Sequence, residues 1–296
     1  MRRKALLGAA LGFILISADG ALAQSPVERG RYLVTTILAC GNCHTPKTEA
    51  GISIKERNLA GGGTSFKTPG FDAVSSNITP DRETGIGAWS NEDIKAALTH
   101  GTRPNKGPLA GVPLAAIMPA GFFKAMQPRD LDAVVAYLRS VKPVRNTVAA
   151  PVYKQPPRHH PYPDAEKGFT EADLRDPLKR GAYLATLGHC MECHSPFEKG
   201  VSDYKALGKG GRVFNAALVQ GFPRDWDGAK APNISSHKTA GIGAWSDAEI
   251  KRAITQGISR DGRKLQPPMD YAAYAGLTEQ DLNAIVAWLR TVPPVE

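Results

Sequence analysis

The chain has 296 residues, a length that favours two domains of ordinary size. Glycine (30 residues) and proline (23 residues) are frequent, which predicts a fold rich in loops. The formal net charge of +9 is compatible with an acidic partner surface and equally with a solvated basic surface. No basic run is interleaved with aromatic residues, which argues against nucleic-acid binding.

The first 23 residues have the pattern of a targeting segment. Three basic residues precede an apolar run from Ala5 to Ala18, and Ala21-Leu22-Ala23 forms a small-residue cleavage signal before Gln24. Because the run is short for a membrane span, residues 1–23 are predicted to be a cleaved signal peptide, with a retained N-terminal anchor as the alternative. No later segment has the apolar length of a span, so we expect no intrinsic membrane span after cleavage near Ala23–Gln24.

Five helices can be placed in chain order. Residues 27–39 have apolar side chains at helical spacing, and capping-box patterns at Ser90 and Ser246 begin helices that end at glycines. The last helices of the two halves run from 129 to 141 and from a Thr278 cap to 291. No run alternates convincingly enough to be a strand. The predicted fold class is therefore all-α with long loops.

Two pentapeptides stand out, Cys40-Gly41-Asn42-Cys43-His44 and Cys190-Met191-Glu192-Cys193-His194. C-x-x-C-H is the attachment signature of a c-type haem, in which two thiols on one face of a helical turn bind the porphyrin and the histidine binds the iron. A zinc or redox C-x-x-C with a chance histidine is the alternative, which two copies with the same offset disfavour. We predict two covalently bound haem c groups, with cysteine attachment at Cys40, Cys43, Cys190 and Cys193 and proximal iron ligands at His44 and His194.

These pentapeptides belong to a longer repeat. Gly85-Ile86-Gly87-Ala88-Trp89-Ser90 returns identically at 241–246, and residues 131–138 match 282–289. A repeat of about half the mature chain indicates a duplicated domain. The predicted organisation is a domain at 24–148, a proline-rich, semi-rigid linker at 149–167, and a second domain at 168–296.

Two methionines are candidates for the sixth iron ligand. Aligning the last helices places Met118 opposite Met269, each beside a proline, whereas Met126 and Met191 have no repeated counterpart. A repeated methionine in a loop beyond the haem motif favours iron ligation over core filling. We therefore predict that Met118 and Met269 complete two six-coordinate haems of moderately high potential. The unrepeated histidines His100, His189 and His237 are weaker alternatives.

Two tryptophans and two asparagines also recur. Trp89 and Trp245 are interpreted either as buried packing residues at a helix start or as indole donors to a haem propionate. Asn77 and Asn233 are candidates to brace a loop over the haem edge, with ordinary turn chemistry as the alternative. The pair His159-His160 lies in the predicted linker, where it is interpreted as solvated rather than as a ligand for a metal or the second haem.

The two C-x-x-C-H motifs, the Asn-Ile and Gly-Ile-Gly-x-Trp-Ser blocks and the matching last helices resemble the di-haem c-type cytochromes built from two class I cytochrome c domains. The chain looks most like cytochrome subunits or partners of bacterial periplasmic dehydrogenases for alcohols, sugar acids and aldehydes. The resemblance implies that Gly30 and Gly181 lie where the first helix crosses the last. Some such subunits add a third haem domain and a C-terminal membrane-binding segment, and their absence from this sequence favours a soluble carrier or small subunit over direct quinone reduction.

Electron transfer is the function that these observations favour. With histidine and methionine on both irons, no coordination position is open to a substrate, so a non-enzymatic periplasmic carrier is expected. Its donor would be a periplasmic dehydrogenase and its acceptor another cytochrome or a terminal oxidase. A di-haem peroxidase-like oxidoreductase, with one haem able to open its distal site, is the alternative, and a haem-free metal or structural module is a third. An insertion at 225–227 is interpreted as a surface turn rather than a docking loop.

Overall fold

The computed structural model describes residues 24–296, so the predicted signal peptide lies outside the described residues. Ten α-helices occur in this part of the chain, and α1–α5 of the first half are followed by α6–α10 in the second. None of them is long and apolar enough to cross a membrane. The helices are α1 (Pro26–Thr35), α2 (Cys40–His44), α3 (Asn91–His100), α4 (Ala120–Phe123), α5 (Pro128–Ser140), α6 (Pro177–Leu187), α7 (Cys190–Cys193), α8 (Asp247–Gln256), α9 (Tyr271–Tyr274) and α10 (Glu279–Leu289).

In each half the first helix crosses the last at a glycine. Gly30 of α1 lies against the backbone carbonyl of Ala133 in α5, and Gly181 of α6 lies against that of Ala284 in α10. A Cβ at either glycine would collide with the facing carbonyl, so the helices can approach this closely only without a side chain. The close crossing implied by the resemblance is confirmed.

The capped helices α3 and α8 form as the sequence predicts. The Ser90 hydroxyl accepts a hydrogen bond from the backbone N–H of Asp93, whose carboxylate accepts one in return, and Ser246 heads the same arrangement in α8. Both helices end at a left-handed glycine, with φ of +68° at Gly101 and +66° at Gly257. Local chemistry alone therefore sets the limits of these helices.

The expectation that the chain has no strands was wrong, although the predicted helical character is confirmed. The strands are β1 (Ser65–Lys67), β2 (Phe71–Val74), β3 (Val152–Tyr153), β4 (Phe197–Glu198), β5 (Val201–Ser202), β6 (Val213–Asn215), β7 (Val219–Gln220) and β8 (Gly228–Lys230). The first hairpin, β1–β2, is extended on one side by β3 and on the other by β7, which comes from the second half. Strands β4 and β5 pair with each other, as do β6 and β8. Strands this short hold too few residues for an alternating pattern to stand out.

The predicted linker at residues 149–167 packs against the first half of the chain. Its strand β3 pairs with β2, so that Tyr153 lies opposite Phe71. Farther along, the Tyr162 ring stacks on Phe122 of α4 with centroids 4.8 Å apart. Strand pairing and aromatic stacking therefore both attach this segment to the first half.

A reciprocal pair of tyrosine–carboxylate hydrogen bonds joins the two halves. The Tyr183 hydroxyl in α6 donates to Asp130 in α5 at 2.7 Å, and the Tyr32 hydroxyl in α1 donates to Asp281 in α10 at 2.5 Å. Each carboxylate also accepts from an arginine of its own half; for Asp130 this is Arg29, bidentate at 2.8 and 2.7 Å. Since both carboxylates are buried, these charge-assisted contacts hold the two halves in one relative orientation.

Candidate haem sites

The first C-x-x-C-H motif forms α2. The second forms α7, and its histidine, His194, directly follows that helix. Each helix is entered through a residue in the left-handed conformation, Ala39 at φ +45° and His189 at φ +39°. The four thiols are half-buried, and none of them forms a disulfide. Burial is the main cause that raises the pKa of Cys40 and of Cys190 to about 12, so these thiols are neutral near pH 7.

The histidine of each motif is held by a backbone carbonyl. Nδ1 of His44 lies 2.7 Å from the carbonyl oxygen of Ser76, and Nδ1 of His194 lies 2.8 Å from that of Pro232. A carbonyl can only accept, so Nδ1 holds the proton and Nε2 carries the lone pair. Burial also lowers the pKa of both histidines. Each therefore presents a neutral imidazole with an available Nε2, which is the form that binds iron.

Sequence reasoning missed these two carbonyls. They belong to residues that directly precede the repeated Asn-Ile dipeptides, so the repeat marked their position. Their own side chains differ, because only the backbone oxygen is used. A contact made by the main chain leaves no requirement on residue type, and pattern reading therefore passes over it.

The structure places both candidate methionines in loops between the haem motif and the last helix. Met118 is half-buried against the first-half core, and its carbonyl faces the imidazole of His159 at 3.2 Å. Met269 borders a cavity of about 590 Å³ that α2 also lines. There the Asn42 side chain donates to the carbonyl of Pro268 at 2.9 Å. Iron ligation by either methionine remains a prediction.

The residues weighed as weaker candidates have other surroundings. Met126 and Met191 are buried in the apolar core, as expected of core fillers. His100 is exposed, and His237 accepts a hydrogen bond within its own turn. His189 packs against two phenylalanine rings of α4. Its buried Nδ1 lies 3.2 Å from the Glu192 carboxylate but makes no hydrogen bond within residues 24–296, so protein contacts or solvent account for the other four side chains and only in part for His189.

The interpretation of His159 as a solvated linker residue was wrong. Its ring is half-buried, with Nε2 at 3.1 Å from the Leu114 carbonyl and Nδ1 at 3.2 Å from the Met118 carbonyl. His160 is exposed, as expected. No cluster of three or more metal-ligating side chains occurs among residues 24–296. The linker thus contacts the loop that carries Met118 through the His159 ring.

Trp89 carries a polar atom with no partner. Its ring is buried, and its indole nitrogen makes no hydrogen bond to any described residue. A buried N–H without an acceptor is costly, so this donor fits a site in which a bound group, such as a haem propionate, supplies the acceptor. Trp245 is half-buried at the matching position. Donation by either indole to a haem remains a prediction.

Both tryptophan turns are held by an arginine that the motif search missed. Arg139, the last-turn arginine of α5, donates to the carbonyl of Trp89, and Arg290 donates to that of Trp245 at 2.5 Å. Each arginine follows a repeated leucine, so the repeat contained the signal. The last helix of each half therefore fixes the turn that carries its tryptophan.

The side-chain amides of the two repeated asparagines are used within the protein. Asn77 Oδ1 accepts from the N–H of Thr79 at 2.9 Å, and its Nδ2 donates to the Val144 carbonyl at 2.8 Å. Asn233 makes the matching pair of bonds, with its Nδ2 at 2.6 Å from the Val295 carbonyl. Each side chain therefore makes an ordinary turn bond through Oδ1 and also ties its loop to the segment after the last helix through Nδ2, and a role at the haem edge stays a prediction.

The interface between the halves brings the two motifs toward each other. The Asn42 side chain of the first motif bonds to the Pro268 carbonyl of the second half, and Phe123 of the first half packs against His189 beside the second motif. Burial is the main cause that raises the pKa of Tyr274, and thiols of both motifs add to the rise. Both candidate haem sites therefore border one shared interface.

Comparison with known proteins agrees with this chemistry. Residues 178–293 match the family model "Cytochrome c", so the second half of the chain contains a cytochrome c domain, the class to which a C-x-x-C-H motif and its carbonyl-held histidine point. A domain of this class carries covalent haem c.

Nearly the whole chain also aligns with longer cytochromes. It is 31% identical over 303 residues to the cytochrome c subunit of a quinone alcohol dehydrogenase from Gluconacetobacter polyoxogenes, covering 94% of this chain and 59% of that one. It is 29% identical to the gluconate 2-dehydrogenase cytochrome c subunit of Pantoea cypripedii, covering 98% and 65%. It is 26% identical to a "Diheme cytochrome c-type" of Cereibacter sphaeroides, covering 87% and 83%. The chain thus spans about three fifths of the first relative, and the predicted resemblance is confirmed.

Proposed function

We propose that this chain is a periplasmic electron-transfer protein that carries electrons through two c-type haems, one in each of two class I cytochrome c domains at 24–148 and 168–296. The observation that carries the proposal is the repeated histidine geometry. In both halves the motif histidine is held through Nδ1 by a carbonyl, with Nε2 available. A duplicated, pre-oriented ligand is expected where each half holds its own iron.

The residues present fit the group that the cytochrome c domain implies. Cys40 and Cys43 would bind one haem and Cys190 and Cys193 the other, while Trp89 offers a buried donor without a protein acceptor. When bound, the haem supplies an iron that exchanges one electron. The protein's part is to orient the ligands, exclude water and set the potential.

We propose Met118 and Met269 as the sixth ligands. Each is placed by a proline-containing loop beside a short helix of its own half, and the carbonyl of Met118 lies 3.2 Å from Nδ1 of His159. A thioether favours the ferrous state and raises the potential. With both axial positions filled by side chains, the irons would carry electrons and would not bind a substrate.

The names of the relatives support a dehydrogenase as the electron donor. Two of them are cytochrome c subunits of an alcohol dehydrogenase and of a gluconate dehydrogenase. We propose that this chain accepts electrons from a periplasmic dehydrogenase and delivers them to another cytochrome or a terminal oxidase. The shared interface supports passage of electrons between the two sites inside one chain, since both motifs border it.

The test uses the haem-loaded protein and measures haem content, far-red absorption of the oxidised state and carbon monoxide binding of the reduced state. We expect two covalent haems per chain, far-red iron–sulfur absorption and no rapid carbon monoxide binding. Met118→Leu and Met269→Leu should each remove about half of the far-red absorption and open one iron to carbon monoxide. Met126→Leu is the matched control and should change neither.

Two results would contradict the proposal. Rapid carbon monoxide binding to the unaltered protein would favour a peroxidase-like oxidoreductase with an open iron. Far-red absorption that survives both methionine replacements would show that another side chain binds the irons.

A further inference from the structure

The sequence repeat builds a matching antiparallel strand pair after each haem motif. In the first half β1 pairs with β2 so that Ser65 lies opposite Val74, and in the second half β6 pairs with β8 so that Val213 lies opposite Lys230. The connection from β6 to β8 is longer than that of the first pair and contains β7. Strands β1 and β6 occupy matching positions in the repeat, directly after the aligned glycine-rich turns. The outer edges of β1 and β6 are therefore equivalent surfaces.

The first of these edges is covered by the chain itself. Strand β7 adds antiparallel to β1, and the Lys67 N–H donates to the Leu218 carbonyl at 2.7 Å. The segment continues over the neighbouring surface, where the Phe222 ring lies 4.6 Å from the Lys47 ammonium. An extended segment thus fills this edge by main-chain pairing and covers the adjacent side chains.

The second edge has no added strand anywhere in residues 24–296. The backbone N–H of Ala231 donates to the Arg212 carbonyl at 2.9 Å, and the two strands are antiparallel. Inward and outward pairs alternate in such a ladder, so the N–H and carbonyl of Val213, the next residue, point outward. The Val213 side chain is 67% exposed. The β6 edge therefore presents main-chain groups and an apolar side chain to solvent.

A groove of apolar and basic character lies next to the start of β6, because it is lined by Gly211, two residues before β6, and by Lys230, which pairs with Val213. It has a volume of about 480 Å³ and is bordered by the ring of Phe197, which is 41% exposed, and by Lys209 and Lys230. The Arg212 guanidinium stacks 4.1 Å from the Phe197 ring centroid and keeps that ring at the border. Neither lysine is in an ion pair with any described residue, and Glu198 is the one acidic residue in the lining. The groove thus carries uncompensated positive charge.

The groove is also connected to the second haem motif. Pro232 borders it, and the carbonyl of Pro232 is the one that holds His194. Arg212 donates to the backbone carbonyl of Glu192, which lies between the two motif cysteines, at 2.9 Å. A molecule bound here would therefore lie next to the residues that hold the second iron.

We propose that the β6 edge and its groove are a docking site for an extended acidic segment of a partner protein, which adds to β6 as β7 adds to β1. Main-chain pairing with Val213 would supply register, and Lys209 and Lys230 would select acidic side chains. A second copy of this chain is disfavoured as the occupant, because two such edges would bring lysines together. The proposal rests on the proposed function only for the partner's redox role, since the pairing itself needs no electron transfer.

The test is an amide NMR titration of the ¹⁵N-labelled, haem-loaded, reduced protein with a capped synthetic octapeptide of alternating glutamate and valine. We expect shifts confined to β6, β8 and the groove. Val213→Pro removes the outward N–H without touching an inward ladder bond, and should weaken binding about tenfold, whereas Val213→Ala, which keeps the N–H, should weaken it about twofold. A peptide methylated on its backbone nitrogens should also bind about tenfold more weakly.

A charge-matched pair of variants tests selectivity. Lys209→Glu with Lys230→Glu should weaken binding at least about tenfold, whereas Lys142→Glu with Lys238→Glu, which changes the net charge equally at exposed sites elsewhere, should have less than about a twofold effect. Any of four results would overturn the proposal. They are equal peptide affinity of the two double variants, peptide-induced shifts away from β6, unaltered affinity of the methylated peptide, and concentration-dependent self-association through β6. Because the readout is binding, failure of methionine ligation would leave this result standing, and the reverse also holds.

Discussion

Replacing Tyr183 by phenylalanine removes one hydroxyl from the centre of the interface between the halves. That side chain is 1% exposed, and its hydroxyl donates to Asp130 at 2.7 Å. The hydroxyl also accepts from the backbone N–H of Gln127 at 3.4 Å. Phenylalanine would therefore leave a buried carboxylate with one bond fewer and a buried N–H without its acceptor.

The size of the loss follows from these contacts. A hydrogen bond to a charged group contributes about 1.5–3 kcal/mol to stability. Arg29 still binds both oxygens of Asp130, so the carboxylate stays paired and the cost falls near the lower part of that range. We expect Tyr183→Phe to lower the free energy of unfolding by about 2 kcal/mol.

The assay is guanidinium unfolding of the haem-loaded protein, followed by far-UV circular dichroism. Tyr32→Phe removes the reciprocal bond to Asp281 and should cost a similar amount. Tyr137→Phe is the control, because its hydroxyl makes no hydrogen bond to any residue of 24–296, and it should change stability by less than about 0.5 kcal/mol. If Tyr183→Phe costs no more than Tyr137→Phe, the tyrosine–carboxylate pairs do not hold the halves together.

Three further predictions follow from single contacts. Burial alone would raise the pKa of Asp130, but pairing with Arg29 lowers it below the usual value. The ionised carboxylate therefore stabilises the fold above about pH 4, and this stabilisation is lost as the pH falls through the lower folded-state pKa. Asp130→Asn should flatten the acid side of a profile of melting temperature against pH. Gly181→Ala places a Cβ against the facing carbonyl of α10 and should cost about 1–3 kcal/mol in denaturant unfolding, whereas Gly70→Ala, where nothing is close, should be near neutral. His159→Ala removes two carbonyl contacts from the loop that carries Met118. With Met118 as the proposed ligand of the first iron, the far-red absorption of that site should then disappear at a lower temperature than in the unaltered protein, and an identical effect of His160→Ala would contradict this.

The parts of the fold that depend on neighbouring residues could be predicted from sequence. The capping boxes at Ser90 and Ser246 and the terminal glycines of both helices satisfy backbone groups within a few residues. The C-x-x-C-H spacing likewise acts within one helical turn. The glycine at each helix crossing was found because the resemblance supplied the long-range partner that spacing alone does not contain.

The sequence predicted only part of the candidate site. The spacing predicted the attachment cysteines and proximal histidines, and the repeat selected Met118 and Met269 as the proposed sixth ligands. The carbonyls that hold His44 and His194 were missed because a main-chain oxygen imposes no residue type. His159 was misjudged because its partners lie more than forty positions away in sequence.

Amino-acid order was enough to predict the helical character, the two C-x-x-C-H motifs and the resemblance to cytochromes, because each of these depends on spacing along one stretch of chain. The folded protein was needed to see how the two halves meet, which strand edge is covered and which is open, and where the linker packs. Those features depend on pairs such as Tyr183 with Asp130, or β7 with β1, that lie far apart in sequence. Chain folding, and not local pattern, brings such residues into contact.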